Sequence, residues 1–363
     1  MLDNKVLKTE ELAAIRLRSL YKNYGYLPFK MSKFEEYDLY VRNKDFLVSD
    51  RVITFNDTDG KLLALKPDVT LSIIKNTKGK EYKKHKVYYS ENVYRVSGST
   101  GHLKEIMQTG LECIGEISML DVLEVVMLAA DSLAAVSEDY VLDISHMGIV
   151  TALLAECGGG RDFSRQVTEL IAEKNAHEIA ELCRTYGVPE RSAEKLSALA
   201  RMYGDRATVI SKLAKICDSA ESREALSELT ALDKLLTECG ASDKIRFDFS
   251  VVNNMKYYNG IVFKGFISGI FEGILAGGEY GNLLKSMKLS GRGIGFALYL
   301  DLLCELDAER DEYDADVLLL YGSDTPLATV HAKKRELIAD GKTVYSSAQI
   351  PDKLKFRETV KIN

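Results

Sequence analysis

EIMQTGLECIG, residues 105–115, reads as a β-strand with two unlike faces. Side chains of a strand alternate with period two, so Met107, Thr109, Leu111 and Cys113 share one face, largely apolar and suited to packing under helices. Ile106, Gln108, Gly110, Glu112 and Ile114 share the other. That second face sets an amide and a carboxylate about 13 Å apart along the strand, with a glycine between them that leaves open volume. Two placements satisfy the pattern. In one, Gln108 and Glu112 look into solvent from an antiparallel sheet. In the other they line a small-ligand pocket, where Glu112 meets an ammonium or imidazole N–H and Gln108 holds a carboxylate or amine. Each charge-assisted bond there would contribute about 1.5–3 kcal/mol.

Working outward, Lys86–Ser90 and Asn92–Ser97 read as two short strands, joined to the decisive one by the loop GSTGHLK, residues 98–104. Arg95 lies in this arm of the hairpin and supplies a forked cation suited to a carboxylate or phosphate. Further upstream a first helix spans about 9–24, with Thr9 as N-cap, Leu12, Ile15, Leu20 and Tyr24 as its apolar stripe, and Gly25 closing it. Downstream, Ser118 and Asp121 have capping-box spacing ahead of LEVVMLAADSLAAV, and Val141–Ser145 reads as a strand. From about Asp162 to Cys239 Ala, Leu, Glu and Lys dominate at helical spacing with one proline, Pro189, which predicts an all-helical insert. Strand patterning returns at Lys244–Val251 and Tyr257–Ile267. GRGIGFALYLDLL (291–303) then reads as a glycine turn leading into a final core helix. After an acidic linker, Glu309–Asp316, the segments Val317–Tyr321, Leu327–Ala339 and Lys342–Tyr345 make a β-α-β fragment. The expected organisation is a core of residues 1–160 and 241–308, a helical insertion at 161–240 and a small α/β segment at 309–363.

Composition narrows the function. The 363 residues are 46% hydrophobic and 28% charged, with a formal net charge of -6, so a broad nucleic-acid-binding face is not expected. The N-terminus has no apolar secretory core and no apolar run approaches the roughly 20 residues of a membrane span, which points to the cytoplasm. Six cysteines (113, 157, 183, 217, 239, 304) without a CxxC pair read as thiols, and five dispersed histidines without an HxxxH spacing argue against a metal site. No cofactor is expected. GRGIG lacks the third glycine of a dinucleotide fingerprint. GGGRDF at 158–163 reads as a helix end and loop. The lysines at 78, 80, 83, 84 and 86 read as a solvated face rather than a nucleotide or partner contact.

Larger blocks carry a family resemblance. YYSENVYRVSGSTGHLKEIMQTGLECIG (88–115) resembles the second signature motif of the histidyl-tRNA synthetases, a class II family, and YGYLPFKMSKFE (24–35) the dimer-forming first motif, with Ser32 in its proline place and Glu35 matching. LLALKPDVT (62–70) is similar to Leu-Arg-Pro-Glu-x-Thr, with Lys66 and Asp68 in the arginine and glutamate places and Thr70 matching. VVNNMKYYNGIVFKGF (251–266), LAGGEYGNLL (275–284) and GRGIGFALYLDLL resemble the Arg-Gly-Leu-Asp-Tyr-Tyr segment, the Gly-Gly-Arg-Tyr-Asp segment and the third motif. The resemblance implies an α+β fold. A six- or seven-stranded antiparallel sheet of the class II synthetase kind is flanked by helices, carries the all-helical insert, and is followed by a short β-α-β remnant of an anticodon-binding domain. It also implies dimerisation through the first motif and a histidine site formed by Asp68, Thr70, Arg95, Gln108, Glu112, Tyr257 and Tyr258.

The departures are as informative. Activation of an amino acid needs cations on the phosphates of ATP, yet Asn253 stands where the synthetases begin Arg-Gly-Leu-Asp-Tyr-Tyr, with Arg246 the nearest arginine. Leu302 stands where an arginine follows the acidic residue, here Asp301. Glu279 replaces the arginine of Gly-Gly-Arg-Tyr-Asp, Gly281 its aspartate, and Ser97 the glutamate that seats adenine. Losing one such group commonly lowers rate about 10²–10³-fold. A retained amino-acid pocket with lost activation machinery is similar to the regulatory subunits of short-form ATP phosphoribosyltransferase. That family implies a non-catalytic chain in histidine biosynthesis that activates a separate catalytic subunit and mediates feedback by histidine, within a hetero-oligomer built on a homodimer and without tRNA. A divergent histidyl-tRNA synthetase is the alternative.

Overall fold

The two-faced strand is the middle of the molecule. In the computed structural model, which describes residues 7–47, 51–77, 83–97, 100–252, 257–306 and 313–362, it runs Leu103–Gly115 and is paired along both edges. Nine strands form the main sheet: β1 (Leu27–Pro28), β2 (Lys84–Val96), β3 (Leu103–Gly115), β4 (Tyr140–His146), β5 (Tyr203–Gly204), β6 (Ile245–Asp248), β7 (Ile261–Ile267), β8 (Leu275–Glu279) and β9 (Arg292–Tyr299). Their order is β1-β2-β3-β9-β8-β7-β4-β6-β5. The six strands from β2 to β4 in that order are antiparallel throughout. The sheet exceeds the expected six or seven strands because short edge strands extend it, and β1·β2 and β4·β6 make it mixed by pairing in parallel.

Thr109, Leu111 and Cys113 of β3 are wholly buried, the last two in the core beneath the helices, whereas Ile114 and Tyr89 belong to a second core on the opposite face of the sheet. The helical layer over the first core includes Met119–Ala134, whose N-terminus is closed by the expected box: Asp121 accepts from the Ser118 amide at 2.8 Å and from its hydroxyl at 2.6 Å. Lys84 adds an ammonium on the same carboxylate at 2.7 Å. Beside it lies Thr9–Asn23. Its cap position is Lys8 rather than Thr9, because the Glu11 carboxylate takes the Lys8 amide at 3.0 Å. Its buried stripe is Ala13, Ala14, Leu17 and Tyr21, and the expected Ile15 and Tyr24 are exposed. Tyr21 is held by Ser132 at 3.0 Å.

Three further readings are corrected. Lys86–Ser90 and Asn92–Ser97 are one continuous strand, since Glu91 between them is not a turn residue but the partner of buried Lys66 at 2.5 Å. GRGIGFALYLDLL forms β9 and then a short 3₁₀ helix, Leu300–Glu305, instead of a core helix. Gly291 bends the chain with a positive φ, as the turn reading expects, whereas Gly293 and Gly295 mark close approach: a Cβ on Gly293 would strike the Tyr280 ring, and one on Gly295 the Glu112 carboxylate. The helical insert is built from Gly160–Ala172, Ala176–Thr185, Glu190–Leu199, Arg206–Leu213 and Ala220–Glu238, but β5 inside it pairs with β6. Of the lysine run, Lys84 and Lys86 pair with Asp121 and Glu124, while 78 and 80 lie outside the described residues.

A small antiparallel sheet, Phe34–Glu36, Leu62–Leu65 and Thr54–Asn56, precedes the helix Thr70–Thr77. Contacts divide the chain into two units, Met1–Glu305 and Leu306–Asn363. The second is a three-stranded parallel sheet, with Ala315–Tyr321 between Val344–Ser347 and Phe356–Ile362, and one helix, Leu327–Ala339, whose Val330 and Leu337 pack on Val317 and Leu319. The strand Phe356–Ile362 goes beyond the expected β-α-β fragment; its alternation is mostly polar and exposed, which hides it in the sequence. Among the described residues no helix is long and apolar enough to cross a membrane.

Candidate functional site

Period-two geometry sends Gln108 and Glu112 out of the same face of β3, and both are only 3% exposed, so neither looks into solvent. They open into a cavity of about 60 Å³ whose walls include Asp68, Thr70, Arg95, Gln108, Glu112, Tyr257 and Tyr258. All seven residues singled out from the sequence therefore meet in one place. Asp68 and Thr70 arrive on the turn ahead of the helix Thr70–Thr77, and Asp68 accepts the Leu71 amide at 2.9 Å. Arg95 comes from β2, and its Nε donates to the Pro67 carbonyl at 3.1 Å. The Lys66–Glu91 pair ties the same turn to β2.

Glu112 dominates the chemistry. Thr70 Oγ1 donates to one carboxylate oxygen at 2.7 Å and the Tyr280 hydroxyl donates to the other. No lysine or arginine pairs with it among the described residues. Burial pushes its carboxyl up to about 8, against the lowering influence of the two hydroxyls, and nearby Asp68 adds to the rise. Asp68 is raised as well, by burial, with the Leu71 amide and Arg95 opposing. Two buried acids without a full complement of cations make a seat for a ligand that brings positive charge or N–H donors. The wall across from them is aromatic. The Tyr257 and Tyr258 ring centroids are 4.5 Å apart, and those of Tyr257 and Tyr280 5.7 Å.

Tyr280, Tyr89 and Tyr299 line the cavity and were not anticipated. Tyr280 was within reach of sequence reasoning, since it follows Glu279 in the quoted LAGGEYGNLL block. Tyr89 carries no signal beyond a strand pattern, and Tyr299 lies in a segment whose sequence reads as a helix.

A second, wider cleft of about 550 Å³ shares Arg95, Ala276 and Tyr299 with the cavity and continues past Lys104, Lys264, Glu272, Asp301 and Leu302. Leu302 contributes no charge to this cleft. Asp301 is pushed up by burial, and its Oδ1 has no hydrogen-bond partner among the described residues. Glu279 lies elsewhere, 3% exposed, accepting the Ile261 amide at 3.0 Å and facing Arg292 at 3.4 Å. Ser97 ends the β2 arm, its amide bonded to the His102 carbonyl at 2.8 Å. Asn253 lies outside the described residues. Arg246 sits on β6 at 3.8 Å from Asp143. Among the described residues no group of His, Cys, Asp and Glu could hold a metal ion.

A largely antiparallel sheet carrying a small cavity lined by buried polar groups, beside a wider cleft, is the arrangement of a class II synthetase body. The histidyl-tRNA synthetase family matches residues 1–303. The ATP phosphoribosyltransferase regulatory subunit of Caldanaerobacter subterraneus subsp. tengcongensis is 30% identical over 79% of this chain and 75% of its own. The chain belongs to the histidyl-tRNA synthetase family and, within it, to the ATP phosphoribosyltransferase regulatory subunits. Among solved structures, a Bacillus halodurans protein described as an ATP phosphoribosyltransferase regulatory subunit/histidyl-tRNA synthetase superposes with a TM-score of 0.77 at 23% identity, covering 97% of this chain and 93% of that one. A chain of the ATP phosphoribosyl transferase complex from Thermotoga maritima gives 0.62 at 22% identity, over 79% and 96%. At these identities the structures speak for the fold.

Proposed function

We infer that this chain is the non-catalytic regulatory subunit of an ATP phosphoribosyltransferase in histidine biosynthesis, that catalysis belongs to a short-form catalytic partner, and that free histidine is its effector. The observation that carries the reading is Glu112: a buried carboxyl group given two hydroxyl donors and, among the described residues, no cation, beside a cleft in which Leu302 contributes no charge. The imidazole and ammonium of histidine supply what Glu112 and Asp68 lack, and Arg95 and Gln108 suit its carboxylate. Regulation then follows from linkage, in that histidine alters the partner's activity to the extent that it binds two states of the assembly with different affinity. A homodimer through the first-motif segment fits the exposure of Leu27 (67%) and Phe34 (45%), and a cytoplasmic location fits a biosynthetic subunit.

The test is reconstitution. Mixed with a short catalytic subunit, the chain should produce phosphoribosyl transfer from phosphoribosyl pyrophosphate to ATP that histidine inhibits. A mixture no more active than the catalytic subunit alone would defeat the assignment. Histidine-dependent exchange of pyrophosphate into ATP would favour the divergent synthetase instead.

A further inference from the structure

Two of the pocket tyrosines, Tyr257 and Tyr258, stand on a corner, Tyr257–Ile261, that leads into β7, and the Glu279 side chain helps to stitch that corner to β8. Glu279 Oε2 accepts the amide of Ile261 at 3.0 Å in a fully enclosed setting. The Glu279 carbonyl takes the Asn259 amide at 3.1 Å, and the Asn259 side chain returns to the Gly281 amide at 2.8 Å, so the residues on both sides of Tyr280 are bound to the corner bearing Tyr257 and Tyr258. Two glycines make room for this arrangement. A Cβ on Gly260 would collide with the Glu279 carboxylate, and one on Gly278 would come within 2.9 Å of the Tyr258 ring. Arg292 reaches the other carboxylate oxygen at 3.4 Å, but it is half exposed and screened by solvent, which makes the buried amide bond the stronger tie.

We propose that Glu279, at the position where the synthetases carry an arginine, is a positioning residue that fixes Tyr257, Tyr258 and Tyr280 around the effector by holding the Ile261 amide. This rests on the reading of the cavity as a histidine site and adds to it a residue that does not touch the ligand. An arginine at 279 has no acceptor for that amide, so the substitution is a rewiring of the corner as well as the loss of a phosphate contact.

The experiment compares E279A, E279Q, G260A and R292A with the unaltered full-length chain by histidine calorimetry, amide hydrogen exchange and near-UV circular dichroism. With 19 tyrosines and no tryptophan, the dichroism reports tyrosine packing above the phenylalanine bands. E279A should weaken histidine binding about 10-fold and raise exchange at Ile261 by a similar factor, the size expected for a buried donor left without its acceptor. E279Q, which keeps an amide-accepting oxygen, should stay within about 3-fold of the unaltered chain. G260A should reproduce E279A by displacing the carboxylate without removing it, and R292A should change little. A merely structural role would lower the melting temperature in all four without this ordering. If E279A fails to fold, G260A and E279Q still decide. If the unaltered chain binds no histidine, the reading of the cavity as a histidine site falls, and exchange at Ile261 with the tyrosine dichroism judges the positioning role alone. Unchanged exchange and dichroism in both E279A and G260A would overturn it.

Discussion

The small cavity and the wider cleft share Arg95, Ala276 and Tyr299, yet they are built on different terms. In the cavity the polar groups are buried and anchored: Glu112 is gripped by Thr70 and Tyr280, Asp68 by the Leu71 amide, and among the described residues no lysine or arginine pairs with Glu112. In the cleft the polar groups are spread over a wider space, Arg95, Lys104 and Lys264 are mixed with Glu272 and Asp301, and Asp301 keeps a buried oxygen without a hydrogen-bond partner among the described residues. Recognition of a small cationic or N–H-donating ligand survives such a design. Charge stabilisation on phosphates does not, because it needs several fixed cations converging on one point. One body can thus keep an amino-acid site while the neighbouring site loses its chemistry.

That contrast can be broken at several points. The largest effect is expected from Glu112→Ala, which should weaken histidine binding about 10²-fold by calorimetry, the scale of a buried charge-assisted contact; retained affinity would mean the ligand sits elsewhere. Tyr280→Phe removes one of the two hydroxyls that favour the charged carboxylate, and should weaken histidine about 10-fold while raising the apparent pKa seen in the pH dependence of binding. A third expectation concerns the free chain. Because burial raises Glu112 from 4.5 to about 8, the folded state holds a proton that the unfolded chain has released, so stability should fall as pH rises through that interval, by up to about 1.4 kcal/mol per pH unit. Denaturant titrations of Glu112→Gln across the same interval should lack this component. The smallest effect belongs to the cleft: Lys264→Ala should shift histidine affinity by less than about 3-fold, and a larger loss would erase the distinction between the two regions.

The core of this site was legible because it depends on local rules. Period two assigns Gln108 and Glu112 to one face of β3 and Leu111 and Cys113 to the other, and a glycine between the polar pair marks open space. Asp68, Thr70, Tyr257 and Tyr258 were reached only through the ordered resemblance, since nothing in their own spacing brings them to β3. What stayed hidden is tertiary. Gly293 and Gly295 resemble turn residues until Tyr280 and Glu112 are seen pressed against them. The break imagined at Glu91 disappears once Lys66 supplies its partner. The first helix buries Ala13 and Ala14 in place of the larger Ile15, because its small side chains allow close packing in the helical layer.

Gly295 opposes Glu112 across β3 and β9, and β3 is bonded to a neighbour along each edge. A molecule seated there grips the most deeply braced strand of the sheet, not a flap that closes over it. Occupancy should therefore be felt as a stiffening of the whole scaffold, with slower opening of amides far from the ligand and a melting point that climbs with its concentration. A partner docked anywhere on the sheet's flanking helices would sense the same tightening without any loop having to carry the message.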